Sequence, residues 1–107
     1  MNDMQVFNYG EQEVRTLVID ADPWWVLVDV CRVLNIENSR NVARRLDDDE
    51  KNTVRLTDGI RGNPNVVIIN ESGLYSVILR SDKPEAKKFK RWITHEVLPA
   101  IARLVST

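Results

Sequence analysis

The residues of this 107-residue chain that could do chemistry are basic and amide side chains, gathered in two short segments. At helical spacing, each segment turns most of these polar residues toward one side. Arginine forms paired hydrogen bonds to a guanine edge, asparagine does the same to adenine, and lysine holds phosphates as a point charge. The chemistry predicted is therefore contact with a nucleic acid. The candidate contacts are Arg40, Asn41, Arg44, Arg45, Lys83, Lys87, Lys90 and Arg91.

The first segment is predicted to be the second helix of a helical pair. An apolar pattern begins a helix at Val28, Asn35 can end it in a left-handed conformation, and Asn38 or Ser39 can cap a helix running to Leu46. A short helix, a turn of about four residues and a basic helix are what a helix-turn-helix requires, and this second helix would read bases. A helical hairpin over a sheet with solvated arginines has the same pattern, so both interpretations stay open.

The second segment follows a hinge, Ser81–Pro84, after an apolar helix that starts at Asn70 or Ser72. Asp82 and Glu85 have the spacing of a capping box, and Pro84 is tolerated in a first helical turn. The helix beyond should turn Lys83, Lys87 and Lys90 outward, with Arg91 at the edge, as phosphate contacts. An ordinary solvated lysine face is the alternative. Near its end, Pro99 predicts a kink or a new short helix.

Few residues could support catalysis. His95 is the only histidine and suits a helix surface or cap, and Cys31 is the only cysteine, in an apolar setting that indicates burial. The acidic run Asp47–Glu50 has no second cluster to complete a metal site and reads as a solvated corner. No glycine-rich phosphate loop is present. We therefore expect no enzyme, no cofactor and no bound metal.

The elements that must position the two segments predict an α+β fold, a small and mainly antiparallel sheet with four to five packed helices in a single domain spanning 1–107. Thr57–Asn65 is a loop between strands that could reach DNA as a hairpin tip or serve as a connector. The core residues expected are Trp24, Trp25, Leu74, Ile78, Phe89, Trp92 and Ile93. The strands expected are Met4–Tyr9, Glu13–Asp20, Trp24–Val26, Thr53–Leu56 and Val66–Asn70.

The charge is unevenly distributed along the chain. The net charge of −1 divides into a balance of −5 up to Asp58 and +4 from Gly59 onward. Because local potential decides where a polyanion docks, the net value does not exclude a nucleic acid. No apolar run has the length of a membrane span, and the first residues lack a signal pattern, so a cytoplasmic location with no membrane partner is expected.

Several blocks of the sequence resemble the BRO-N domain, the N-terminal domain of phage and prophage antirepressors and of baculovirus repeated-ORF proteins. In the second half they are Asn70-Glu71-Ser72-Gly73-Leu74-Tyr75, Leu79-Arg80-Ser81, Lys83-Pro84-Glu85-Ala86, Phe89-Lys90-Arg91-Trp92 and Glu96-Val97-Leu98-Pro99. In the first half they are Val14-Arg15, Pro23-Trp24-Trp25, Val28-Asp29-Val30 and Glu50-Lys51.

The resemblance implies a DNA-binding regulatory module acting in the cytoplasm of a bacterial host, normally the N-terminal part of a longer protein. Double-stranded DNA is then the first partner expected. The competing hypothesis is a protein-interaction module that binds and inactivates a phage repressor, which the acidic first half would suit if that partner is basic. A homodimer is compatible with either function.

Overall fold

The computed structural model describes residues 3–56 and 64–105, which form a five-stranded sheet with helices packed against it. Every neighbouring pair of strands is antiparallel, and the strand order is β1-β2-β3-β5-β4. The α+β prediction is therefore confirmed. The strands are β1 Asp3–Tyr9, β2 Gln12–Ile19, β3 Asp22–Val26, β4 Lys51–Arg55 and β5 Asn65–Asn70.

The helices fall between and after the strands. The pair α1 and α2 connects β3 to the second half of the sheet, and a short 3-10 turn, Asp48–Glu50, precedes β4. The remaining helices follow β5. The helices are α1 Leu27–Val33, α2 Ser39–Arg45, α3 Glu71–Arg80, α4 Pro84–Trp92 and α5 Leu98–Val105.

The main core lies between the helices and one face of the sheet. Trp25 on β3 stands beside Thr16 and Ile69 of the neighbouring strands and is fully buried. Trp24 points to the opposite face because side chains alternate along a strand. It is half-buried there against a small cluster of Leu17, Val26 and Ile68. Of the core residues predicted, Leu74, Ile78, Phe89 and Ile93 are buried, and Trp92 is half-buried.

The start of α4 differs from the sequence prediction. The N-cap is Lys83, with Pro84 in the first turn and no side-chain cap, so the capping box of Asp82 and Glu85 does not form. Glu85 instead accepts a hydrogen bond of 2.5 Å from the Tyr9 hydroxyl, which ties the end of β1 to α4. Burial and this bond raise the pKa of Tyr9 to about 12.

Pro99 lies in the first turn of the short helix α5, one of the two outcomes that the sequence predicts there. Between α4 and α5 the chain widens into a π-helical segment, Ile93–Val97, in which the Leu98 N–H bonds the Ile93 carbonyl five residues back. Residues at both junctions keep right-handed helical angles, so the backbone stays helical from α4 through this segment into α5. A single π turn shifts the hydrogen-bond register, and this register accommodates a proline that has no N–H to donate.

Gly73 permits a close approach between α3 and the 3-10 turn. A Cβ at this position would lie 2.8 Å from the Glu50 carbonyl oxygen and 3.2 Å from the Ile69 Cβ. We therefore expect Gly73→Ala to lower the free energy of unfolding by about 1–3 kcal/mol, because backbone must move to admit the methyl group. Urea denaturation would measure the loss. Ser76→Ala on the same helix is the control, and an equal loss in both variants would contradict the explanation.

Candidate nucleic-acid interface

The turn between α1 and α2 forms as the sequence predicts. Asn35 adopts a left-handed conformation with φ of 57°. Its N–H bonds the Arg32 carbonyl at 3.2 Å, and the Ile36 N–H bonds the Cys31 carbonyl at 2.8 Å. These two bonds form the Schellman motif that closes many helices. Asn38 then caps α2 by accepting the Asn41 N–H at 3.2 Å.

A buried carboxylate fixes α1 against the sheet. Asp29 is 1% exposed and accepts hydrogen bonds from the Arg15 backbone N–H at 2.9 Å, from Arg15 Nε at 2.8 Å and from Arg15 Nη2 at 2.9 Å. Arg32 Nη2 adds a fourth bond at 3.0 Å and also reaches the Glu13 carbonyl. The hydrogen bonds that Arg15 donates to the Asp29 carboxylate raise the pKa of Arg15. The network therefore joins β2 to the first helix of the pair.

The exposed face of α2 carries the four residues predicted to read bases. Arg40, Asn41, Arg44 and Arg45 are all exposed, whereas Val42 and Ala43 are half-buried against the core. Arg44 Nη1 lies 3.5 Å from Asn41 Oδ1, a long hydrogen bond that exchanges easily for one to a ligand.

Two depressions flank α2. The first, here called the α2 groove, has a volume of about 590 Å³, with Arg15, Arg40 and Arg44 beside an apolar floor. That floor includes Val28, which is 44% exposed. The second, the junction cavity, has a volume of about 210 Å³. It is lined by Ile36, Val42, Arg45, Val77, Arg80, Ser81, Asp82 and Lys83.

The predicted phosphate contacts lie along α4. Lys87, Lys90 and Arg91 are exposed on this helix, whose opposite side buries Ala86 and Phe89. Lys83, at the start of α4, is exposed but already donates from Nζ to the Asn35 carbonyl at 2.8 Å. Lys83 therefore connects the hinge before α4 to the turn of the helical pair and keeps two of its three N–H donors.

The structure thus brings some of the predicted residues together and leaves others apart. Arg45 and Lys83 share the junction cavity, and Arg40 and Arg44 share the α2 groove. Lys87, Lys90 and Arg91 lie further along α4 and line neither depression. Within residues 3–56 and 64–105, none of the eight candidates takes part in an ion pair.

Two basic residues near this surface were absent from the predicted set. Arg15 faces the α2 groove from β2, and Arg80 faces the junction cavity from the last turn of α3. The sequence shows their charge but not their proximity to α2, which depends on contacts between distant parts of the chain. The predicted hairpin tip at Thr57–Asn65 lies mostly outside the described residues.

The other chemical candidates have structural roles. Cys31 is buried, and burial raises the pKa of its thiol to about 11, which disfavours the reactive thiolate. His95 is exposed, with Nδ1 3.0 Å from the Arg91 carbonyl. Across the described ranges, no cluster of three or more His, Cys, Asp or Glu residues could hold a metal.

No helix in those ranges is both long and apolar enough to cross a membrane.

Comparison with known protein families shows which family this chain belongs to. The model of the BRO family, N-terminal domain (Bro-N) matches residues 13–99, a range that contains the helical pair, the hinge and α4. The chain belongs to the Bro-N family. This family is associated with DNA-binding and antirepressor-like roles and is not a known enzyme family.

Individual relatives agree with the family match. An uncharacterized protein of Haemophilus influenzae is 34% identical over 98 residues, covering 91% of this chain and 49% of that protein. Two putative Bro-N domain-containing proteins of Invertebrate iridescent virus 6, 289L and 201R, are each 26% identical over 90% of this chain. The chain spans about half the length of the Haemophilus relative and 27% and 28% of the viral ones. No solved structure matches the chain.

Proposed function

We propose that this Bro-N domain binds double-stranded DNA and regulates transcription as part of an antirepressor-like protein of a phage or prophage. In this proposal α2 reads base edges through Arg40, Asn41, Arg44 and Arg45, and α4 contacts phosphates through Lys83, Lys87, Lys90 and Arg91. The observation that supports it is the exposure of all eight side chains without an ion pair among the described residues. Cations without carboxylate partners can contact phosphates without first breaking an internal pair.

The distribution of acidic residues is compatible with this interface. Asp47, Asp48 and Asp49 are exposed in the turn just after α2, so a duplex would be repelled at that corner. Glu50, in the same turn, is held by the Ser72 hydroxyl at 2.6 Å, a bond that lowers its pKa. The net charge of −1 therefore coexists with a local basic surface.

The proposal extends to the organisation of the whole protein. We take the 107 residues to form one domain, N-terminal in a longer protein of the bacterial host cytoplasm. A homodimer would present two copies of α2 to a site with two half-sites one helical turn of DNA apart. The stoichiometry of binding to a duplex would show whether one or two chains occupy each site.

Duplex binding at two salt concentrations tests the proposal. Fluorescence anisotropy of labelled duplexes from the gene's own flanking region should show affinity that falls roughly a thousandfold between about 50 and 200 mM salt, for six or more phosphate contacts. The variant Arg40→Glu/Arg44→Glu should weaken binding by about thirtyfold or more, since each arginine contact to a base contributes roughly 1–3 kcal/mol. Lys87→Glu/Lys90→Glu should weaken all duplexes alike and flatten the salt dependence.

Arg103→Glu, which reverses a charge on α5 outside both proposed surfaces, is the control and should change affinity little. Each variant is compared with the wild type by circular dichroism so that loss of folding is not read as loss of contact. No duplex binding by the wild type at low salt would contradict the DNA proposal and direct the search to a repressor protein.

A further inference from the structure

The junction cavity collects positive charge from three separate elements. Arg45 comes from α2, Arg80 from the end of α3 and Lys83 from the start of α4, and Asp82 is the one carboxylate among the lining residues. The floor is apolar and consists of Ile36, Val42 and Val77. The lining residues therefore carry a formal balance of two positive charges around an apolar base.

The arginine side chains at this cavity are not neutralised by neighbours. Neither the Arg45 nor the Arg80 side chain forms a hydrogen bond or ion pair with another described residue. Arg80 interacts with Glu50 only at longer range, where its charge helps to lower the pKa of Glu50. The Glu50 carboxylate is already bonded by Ser72 at 2.6 Å and more weakly by Ser76 at 3.4 Å. Both guanidinium groups consequently keep their donors for a ligand.

We infer that the junction cavity seats one backbone phosphate of the bound duplex, with Arg45 and Arg80 donating to its oxygens. This inference rests on the proposed function, adds Arg80, which the sequence did not assign, to the interface, and reassigns Arg45 from a base edge to this phosphate. Guanidinium groups offer planar pairs of donors that match phosphate oxygens. The apolar floor suits the carbon atoms of the adjoining deoxyribose. A phosphate held beside α2 would fix the register at which that helix meets the bases.

Lys83 holds together the segments that line the junction cavity. Its bond to the Asn35 carbonyl joins residues 48 positions apart and holds the α3–α4 hinge against the turn of the helical pair. The backbone segments that carry Arg80 and Arg45 are therefore held together before DNA arrives, which reduces the entropy lost on binding. Asp82 opposes the ligand from the same hinge and should weaken binding slightly.

Substitutions that remove a positive or a negative charge from the junction cavity test the proposed phosphate site. In the 107-residue chain, Arg80→Ala should weaken binding to every duplex by roughly tenfold and reduce the salt slope by about one, because one phosphate contact is lost. Arg80→Lys should restore the salt slope because it keeps the charge, but only part of the affinity because an ammonium group lacks the planar pair of donors. Asp82→Asn should tighten binding by about threefold. Glu11→Gln, a matched change in the β1–β2 turn, should leave it unchanged.

The outcomes separate this inference from the function on which it rests. If the wild type binds duplexes with a steep salt dependence but Arg80→Ala behaves like the wild type, the proposed phosphate site in the junction cavity is wrong and the DNA proposal stands. If the wild type binds no duplex at low salt, both fail. If Arg80→Ala loses binding to poly-L-glutamate but keeps its affinity for duplexes, the cavity takes an acidic peptide and the phosphate assignment is overturned.

Discussion

Replacing Asp29 with alanine should lower the free energy of unfolding by about 3–5 kcal/mol, the usual result of removing one partner from a buried ion pair. The Asp29 side chain is 1% exposed, whereas that of its partner Arg15 is 21% exposed. Without the carboxylate, the Arg15 guanidinium and backbone N–H lose three hydrogen bonds at once. Since a typical domain is stable by only 5–15 kcal/mol, the variant should lose a large part of its margin.

Urea denaturation followed by tryptophan fluorescence would measure this loss. Asp29→Asn is the milder companion, because it keeps the volume and one acceptor while removing the charge. Arg32→Ala is the control from the same network, since the Arg32 side chain is 53% exposed and its bond to Asp29 is solvated. The control should cost less than about 1 kcal/mol. Equal costs for Asp29→Ala and Arg32→Ala would show that the buried contact with Arg15 is not the main stabilising interaction.

The parts of the interface that could be predicted from the sequence are those held by local hydrogen bonds. The caps at Asn38 and Asn70 are local, each accepting an N–H from three residues later, and each is one of the two cap candidates that the sequence offers for its helix. The left-handed turn at Asn35 is local in the same sense. Where a hydrogen bond joins residues close together in the chain, residue type and spacing specify it. The helical pair could therefore be predicted from the sequence.

The rest of the interface depends on contacts between distant residues. Arg15 and Asp29 are 14 positions apart, Asn35 and Lys83 are 48 apart, and Tyr9 and Glu85 are 76 apart. Glu85 shows the consequence. Local spacing predicted a capping box for it, whereas in the folded protein its carboxylate accepts a hydrogen bond from the Tyr9 hydroxyl. Arg80 was left out of the predicted contacts for the same reason, since its position beside α2 depends on the packing of α3 against the core.

Side-chain direction on the sheet was only partly predictable. Alternation required Trp24 and Trp25 to face opposite ways, but sequence alone did not show that the face away from the main core has an apolar cluster of its own. The structure buries Trp25 fully and leaves Trp24 half-buried against that cluster. Leu79 is another difference, because it continues an apolar run in sequence yet is 80% exposed on α3.

Phe89→Ala should be about as destabilising as Asp29→Ala, by roughly 3–5 kcal/mol, because it opens a cavity in the core beneath α4. The Phe89 ring is fully buried. It packs edge-on against Tyr9 at 5.5 Å between ring centroids and stacks on Trp92 at 5.7 Å. Phe89 therefore anchors the helix that presents Lys87, Lys90 and Arg91 to solvent, and its loss should also loosen the proposed phosphate contacts.

Chemical denaturation of three variants would separate packing from charge on this helix. Phe89→Leu should cost less than Phe89→Ala, since it keeps much of the apolar volume. Lys88→Ala, at the adjacent exposed position, should change stability by no more than about 0.5 kcal/mol. Below the unfolding temperature, Phe89→Ala should bind duplex DNA more weakly than Lys88→Ala although it retains every candidate contact. Unchanged affinity in a destabilised Phe89→Ala would show that α4 does not have to be held in place for DNA binding.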